Sequence, residues 1–134
     1  MILELDTHGG APIYRQIMEQ IRRHVLTDQL PAGHRMESVK SLAARLKVNP
    51  MTVSKAYGFL VEEGVLERQR GVGLFVSAMR ADTRRRKQDR LLGSVLHQAA
   101  VLAVQLQIPE DEALRQLSAH YQRLQAQSKT DQSS

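Results

Sequence analysis

Apolar residues in the first 76 positions fall into three helical stripes followed by two short runs about a turn. Tyr14, Ile17, Met18, Ile21 and Val25 recur at spacings of three and four, the repeat that gathers side chains on one face of an α-helix. "THGGAP" precedes this stripe as a turn, and the proline and glycine of "DQLPAG" end it. Val39, Leu42, Ala43 and Leu46 predict a second helix capped by Ser38, and only Lys47 and Val48 separate it from a third. In "VNPMTVSKAYGFLVEEGVL", Asn49 can accept from free amides and Pro50 suits the first helical position, where its missing N–H costs nothing. Val53, Ala56, Tyr57, Leu60 and Val61 form the buried stripe of this helix and Gly64 ends it, leaving Met51, Thr52, Ser54 and Lys55 on the outer face of its tip.

Two helices joined by so tight a turn predict a helix-turn-helix. In "VLERQRGVGLFV", Val65 and Leu66 precede a glycine-bearing turn and Leu74, Phe75 and Val76 follow it, which predicts a hairpin wing. A helix that hides its C-terminal half and offers small polar groups and a cation at its tip suits the major groove of double-stranded DNA. Beyond Ser77 the pattern changes. The basic run at 84–87 precedes Leu92, Val95, Ala99, Leu102 and Leu106, and "AAVLAV" at 99–104 is apolar all the way round. "IPEDEALRQL" starts a further helix, with Pro109 near its first positions, acids 110–112 complementing the helix dipole, and Ala113, Leu114, Leu117 and Tyr121 as its stripe. Such a helix pair buries its apolar surplus only against a second copy. The fold expected is therefore mainly α with a small β-hairpin: a winged helix-turn-helix DNA-binding domain at 1–78, a two-helix dimerisation region at 79–126 and a disordered tail at 127–134.

Composition narrows the classes without choosing among them. The 134 residues hold no cysteine, which excludes disulfides and thiolate metal sites. Nineteen Lys and Arg against fourteen Asp and Glu give a net charge of +5, compatible with a polyanionic partner. The five histidines are scattered without metal-ligand spacing, Ser38 and Ser54 have no nearby His and acid in a nucleophile arrangement, and "RGVG" lacks the Lys-Ser/Thr of a phosphate loop. No enzyme, metal or cofactor is expected. No apolar run approaches the roughly 20 residues that span a bilayer, and the first ten residues do not resemble a signal peptide. A soluble, cytoplasmic chain is the expectation.

Residues 11–76 resemble the DNA-binding domain of GntR-type bacterial transcription regulators. The resemblance rests on five coincident features: "P-x-Y-x-Q-I", "L-x-x-G-x-R", "S-V-K-x-L-A", "V-N-P-x-T-V-x-K-A-Y-x-x-L" and "R-G-x-G-x-F-V". It implies base or phosphate contacts at Ser38 and Lys40, at Asn49, Pro50, Met51, Thr52, Ser54 and Lys55 on the recognition helix, and at Arg70 and Gly71 in the wing. Three positions depart from the pattern. Glu37 stands where proline is usual and would repel phosphate. Lys40 replaces a common arginine and, lacking the bidentate fork, suits a phosphate better than a guanine edge. Lys47 replaces a common glycine and must adopt a left-handed conformation or reshape the turn, at roughly 1 kcal/mol.

"LAVQLQIPEDEAL" further resembles the short C-terminal region of the YtrA-like subgroup. That resemblance implies a dimeric repressor, commonly of operons for membrane transporters, with Leu92, Val95, Ala99, Leu102, Leu106, Leu114 and Leu117 at the subunit seam. Two helices leave little room for a pocket, so any small-molecule effector should bind at the seam or between the domains. Residues 84–87 are either phosphate contacts flanking the operator or a solvated helix start. The competing function is a winged-helix module that docks another protein; it predicts an apolar recognition face, which Thr52, Ser54 and Lys55 oppose.

Overall fold

The computed structural model describes residues 1–132. Its elements are α1 (Ile13–Leu26), α2 (Val39–Leu46), α3 (Pro50–Glu62), β1 (Leu66–Gln69), β2 (Gly73–Val76), α4 (Ala81–Gln105) and α5 (Glu110–Gln132). The chain forms two compact units, Met1–Asp89 and the part from Arg90 onward.

The first unit folds around one core. Ile17, Ile21 and Val25 from α1 meet Leu42 and Ala43 from α2 and Val53, Ala56, Tyr57 and Leu60 from α3, closed by Val65, Leu66 and Val76 from the hairpin. The helical members are positions that the helical period marks as inward. The strands pair antiparallel with Leu66 opposite Val76 and Gln69 opposite Gly73. The segment 33–36 lines the free edge of β2: Met36 N donates to Leu74 O at 2.8 Å and Val76 N to His34 O at 2.8 Å. The wing is thereby tied to the start of α2.

Helix ends are fixed by local chemistry. Ser38 Oγ accepts from Ser41 N at 3.1 Å and Asn49 Oδ1 from Met51 N at 2.8 Å, as the capping pattern predicted. Lys47 does adopt the left-handed conformation, with φ 58° and ψ 46°. Val48 N donates to Ala43 O at 3.0 Å across it, the bond by which a helix end of this type recovers an orphan carbonyl. Gly64, at φ 77°, ends α3 in the same way, with Val65 N reaching Leu60 O. The helix-turn-helix thus keeps its tight turn without glycine.

The N-terminal arm is held by two carboxamides one helical turn apart. Gln20 Oε1 accepts from Glu4 N while its Nε2 donates to Glu4 O, and Gln16 does the same to the backbone of Asp6. Each glutamine imitates a neighbouring strand and lets Leu3 reach the core. Gln16 is the glutamine of "P-x-Y-x-Q-I", so that motif has a structural purpose.

Two boundaries in the structure differ from those expected. The first unit extends past residue 78 to Asp89, within α4, because the start of α4 is bonded to two helix ends. Arg84 Nη2 donates to Val25 O and Leu26 O, each at 3.2 Å, and pairs with Asp28 at 2.6 Å. Lys87 Nζ donates to Glu63 O at 2.8 Å and Gln88 Nε2 to Leu26 O at 3.0 Å. The tail expected to be disordered from 127 is helical through Gln132; residues 133–134 lie outside the described part. Extending an existing helix adds one bond per residue without a new nucleus, so a polar sequence can continue what "EDEALRQL" begins.

Among the described residues of the second unit, none belongs to a buried core in one chain. No residue of α4 is buried. Leu92, Val95, Leu102, Leu106, Leu114 and Leu117 are all exposed, Leu102 at 55% and Val104 at 75%. Gln107 turns the chain between the helices in a left-handed conformation, with Ile108 N donating to Ala103 O at 2.9 Å.

Candidate DNA-binding surface

The tip of α3 is built by opposition. Val53, Ala56, Tyr57 and Leu60 anchor one side in the core, so Met51, Ser54 and Lys55 are turned outward, with Met51 77% exposed. Asn49 and Pro50 stand exposed at the helix start; Thr52, expected on the outer face, is half-buried. Ser38 and Lys40 are exposed on the first turn of α2. Arg70 and Gly71 are exposed at the wing tip, where Val72 N closes the turn onto Gln69 O at 3.0 Å and Gly71 sits at φ 77°. That φ is open to glycine at no steric cost and strained for other residues.

Two braces escaped the sequence reading. Arg35 Nη2 donates to Val72 O at 2.7 Å and holds the wing turn from the strand edge. Glu37 is clasped by Arg45, with Nη2 to Oε2 at 2.9 Å, and accepts from Ser41 Oγ at 2.8 Å. The Arg45 bonds lower the Glu37 carboxyl from its ordinary value; burial opposes them, and the Ser41 bond adds to the lowering. The charge that sequence alone set against phosphate is therefore balanced within the domain. From α3, Tyr57 OH donates to Glu37 O at 2.8 Å, and burial, more than the Glu37 charge, pushes the Tyr57 phenol up. Neither brace has a sequence signal short of the folded geometry, since Glu37 and Arg45 meet over the length of α2.

The basic run at 84–87 divides by face. Arg84 and Lys87 are half-buried against helix C-termini, where cations complement the partial negative charge of free carbonyls. Arg85 and Arg86 are exposed and face Asp89 and Asp82. Arg84 and Lys87 thus serve the fold, while Arg85 and Arg86 remain on the surface.

A helix-turn-helix with an edge-braced hairpin, its third helix projecting an exposed tip, is a winged helix-turn-helix DNA-binding domain. Residues 13–76 match the family model described as bacterial regulatory proteins, gntR family. The transcriptional repressor YtrA of Bacillus subtilis is 38% identical over 76 residues, 57% of this chain and 58% of the repressor, so the match spans little more than half of that relative. The uncharacterized regulator YhcF of the same organism is 32% identical over 79% of this chain and 87% of its own length. Among solved structures, YtrA from Sulfolobus acidocaldarius has a TM-score of 0.58 at 30% identity, covering 75% of this chain and 99% of that one. The AraR DNA-binding domain in complex with an operator has a TM-score of 0.51 at 28% identity, over 56% and 96%. The chain belongs to the GntR family of bacterial regulatory proteins, as a DNA-binding transcription regulator of the YtrA-like group.

Proposed function

We propose that the chain is a homodimeric repressor that grips an inverted-repeat operator in double-stranded DNA. The observation that carries the reading is the division of α3: core side chains fix its inner face, and the exposed groups of its tip, Asn49, Pro50, Met51, Ser54 and Lys55, form one projecting end with Thr52 half-buried beneath them. In this reading the α3 tip enters the major groove, where Met51 contacts base edges and Lys55 a phosphate. Ser38 and Lys40 reach the phosphate backbone from α2, and Arg70 and Gly71 follow it from the wing. Similarity to a repressor and to an operator-bound domain supports this assignment.

Dimerisation is supported by the exposed apolar side chains of α4 and α5, which in one chain have nothing to bury them. Leu92, Val95, Ala99, Leu102, Leu106, Leu114 and Leu117 form the seam of a four-helix bundle, two helices from each copy. The YtrA-like resemblance extends the reading to operons for membrane transporters, and any small effector binds at that seam. Selection of binding sites from random duplexes with the full chain tests the proposal. Recovery of an inverted repeat bound with a steep negative salt dependence is the expected result. Selection of no consensus, with weak binding insensitive to salt, would overturn it in favour of protein docking.

A further inference from the structure

The Lys55 ammonium lies 4.1 Å from the centroid of the Tyr14 ring. Tyr14 stands in the first turn of α1, and its ring also meets Phe59, with centroids 5.7 Å apart and planes inclined by 30°. Lys55 and Phe59 are four residues apart on α3, so one helical face presents a cation and an aromatic edge together, and Tyr14 packs against both. Among the described residues no carboxylate forms a salt bridge with Lys55. Arg45 is the contrast, since its charge is balanced by Glu37.

We infer that Tyr14 is a positioning residue for DNA binding, whose ring fixes the Lys55 ammonium at the side of the recognition helix while leaving its charge unspent. An aromatic face attracts a cation through its quadrupole and carries no net charge, so the held ammonium keeps its full attraction for phosphate. A carboxylate partner would fix the side chain equally well and cancel that attraction. A lysine already confined also loses less rotamer freedom when it meets DNA. The tyrosine of "P-x-Y-x-Q-I" and the lysine of "V-x-K-A-Y" thereby act as one unit. The inference rests on Lys55 being a phosphate contact.

Binding of the full chain to short duplex DNA of mixed sequence, titrated with KCl, tests it. Lys55→Ala should weaken binding about tenfold and lower the salt slope by about one unit. Tyr14→Leu should reproduce both changes, Tyr14→Phe should restore both, and the double variant Tyr14→Leu/Lys55→Ala should be no weaker than Lys55→Ala alone. Tyr14→Met, which fills the same space without a π face, replaces Tyr14→Leu if the latter does not fold. The Lys55 ε protons should show an upfield ring-current shift in the wild type that disappears in Tyr14→Leu. Undiminished binding in Tyr14→Leu, losses that multiply in the double variant, or a Tyr14→Phe protein as weak as Tyr14→Leu would overturn the inference, the last by showing that the hydroxyl itself is the contact. An unchanged slope in Lys55→Ala would remove the phosphate contact on which it rests, a failure distinct from one confined to Tyr14.

Discussion

Arg45, in the last turn of α2, holds Glu37, the residue before the cap of that helix: Nη2 donates to Oε2 at 2.9 Å, and Nε lies 3.2 and 3.3 Å from the two carboxylate oxygens. The Glu37 carboxyl is thereby lowered from an ordinary value of 4.5, first by the Arg45 hydrogen bonds. A carboxylate with a depressed folded-state pKa adds stability above its unfolded pKa and loses it as the pH falls through the folded value. Glu37→Gln should therefore be less stable than wild type at pH 7, by about 0.5 kcal/mol for a pair this accessible. The gap should close as the pH falls from 4.5 through the lower folded-state value. Urea denaturation at stepped pH would show it; a gap independent of pH would mean that the carboxylate charge is not what stabilises.

The same pair bears on DNA. Removing only the cation exposes a negative charge beside Ser38 and Lys40. Arg45→Gln should weaken binding to DNA of any sequence, and adding Glu37→Gln to it should recover most of the loss. A double variant as weak as the single one would show that Arg45 contacts DNA directly.

Lys87 caps the recognition helix through Glu63 O, a backbone carbonyl at its C-terminal end. Lys87→Met should lower stability by about 1 kcal/mol, since a cation at a helix C-terminus contributes about that much. It should leave the salt slope of DNA binding unchanged. A reduced slope in a fully folded variant would return this part of the basic run to the phosphate backbone.

What could be read from sequence divides along a physical line. Val53, Ala56, Tyr57 and Leu60 were legible because burial on a helix imposes a period, and Ser38 and Asn49 because capping needs their oxygens at one place. Lys47 was legible only through family resemblance, since nothing in lysine announces a left-handed turn. The carbonyl contacts of Arg84 and Lys87 were not legible, because the cations in a run of four look alike until the helix face decides which meets a carbonyl. The Glu37–Arg45 and Tyr14–Lys55 contacts were invisible, because each joins positions far enough apart that only the fold brings them together.

Lys40 and Arg70 are exposed on α2 and the wing, on the two elements that flank the recognition helix. If they meet DNA, their losses should differ in kind. Lys40→Ala should reduce affinity for every sequence and lower the salt slope by about one unit. Arg70→Ala should weaken operator binding by about 1–3 kcal/mol with the domain still folded. A Lys40→Ala loss confined to one base position would make that lysine a reader of sequence, and full affinity in Arg70→Ala would remove the wing from the interface.

Leu102 is the sharpest test of the seam, because in one chain it stands half in solvent on a helix with no buried residue. If a second copy covers it, an aspartate there would cost several kcal/mol, since an unpaired charge in an apolar interface finds no partner. The two-fold axis of such a dimer would relate the recognition helices, which should enter successive major grooves roughly 34 Å apart on an inverted repeat. Joining two half-site contacts in one molecule multiplies affinity through effective concentration. Leu102→Asp should therefore give monomers whose first unit, with its own core from Ile17 to Val76, keeps its fold. These monomers should bind a single half-site as the wild type does and the full operator far more weakly. Analytical ultracentrifugation beside a gel-shift titration on both duplexes measures each part. A variant that stays dimeric would place the seam elsewhere, and a monomer with undiminished operator affinity would show that one head suffices for the whole site.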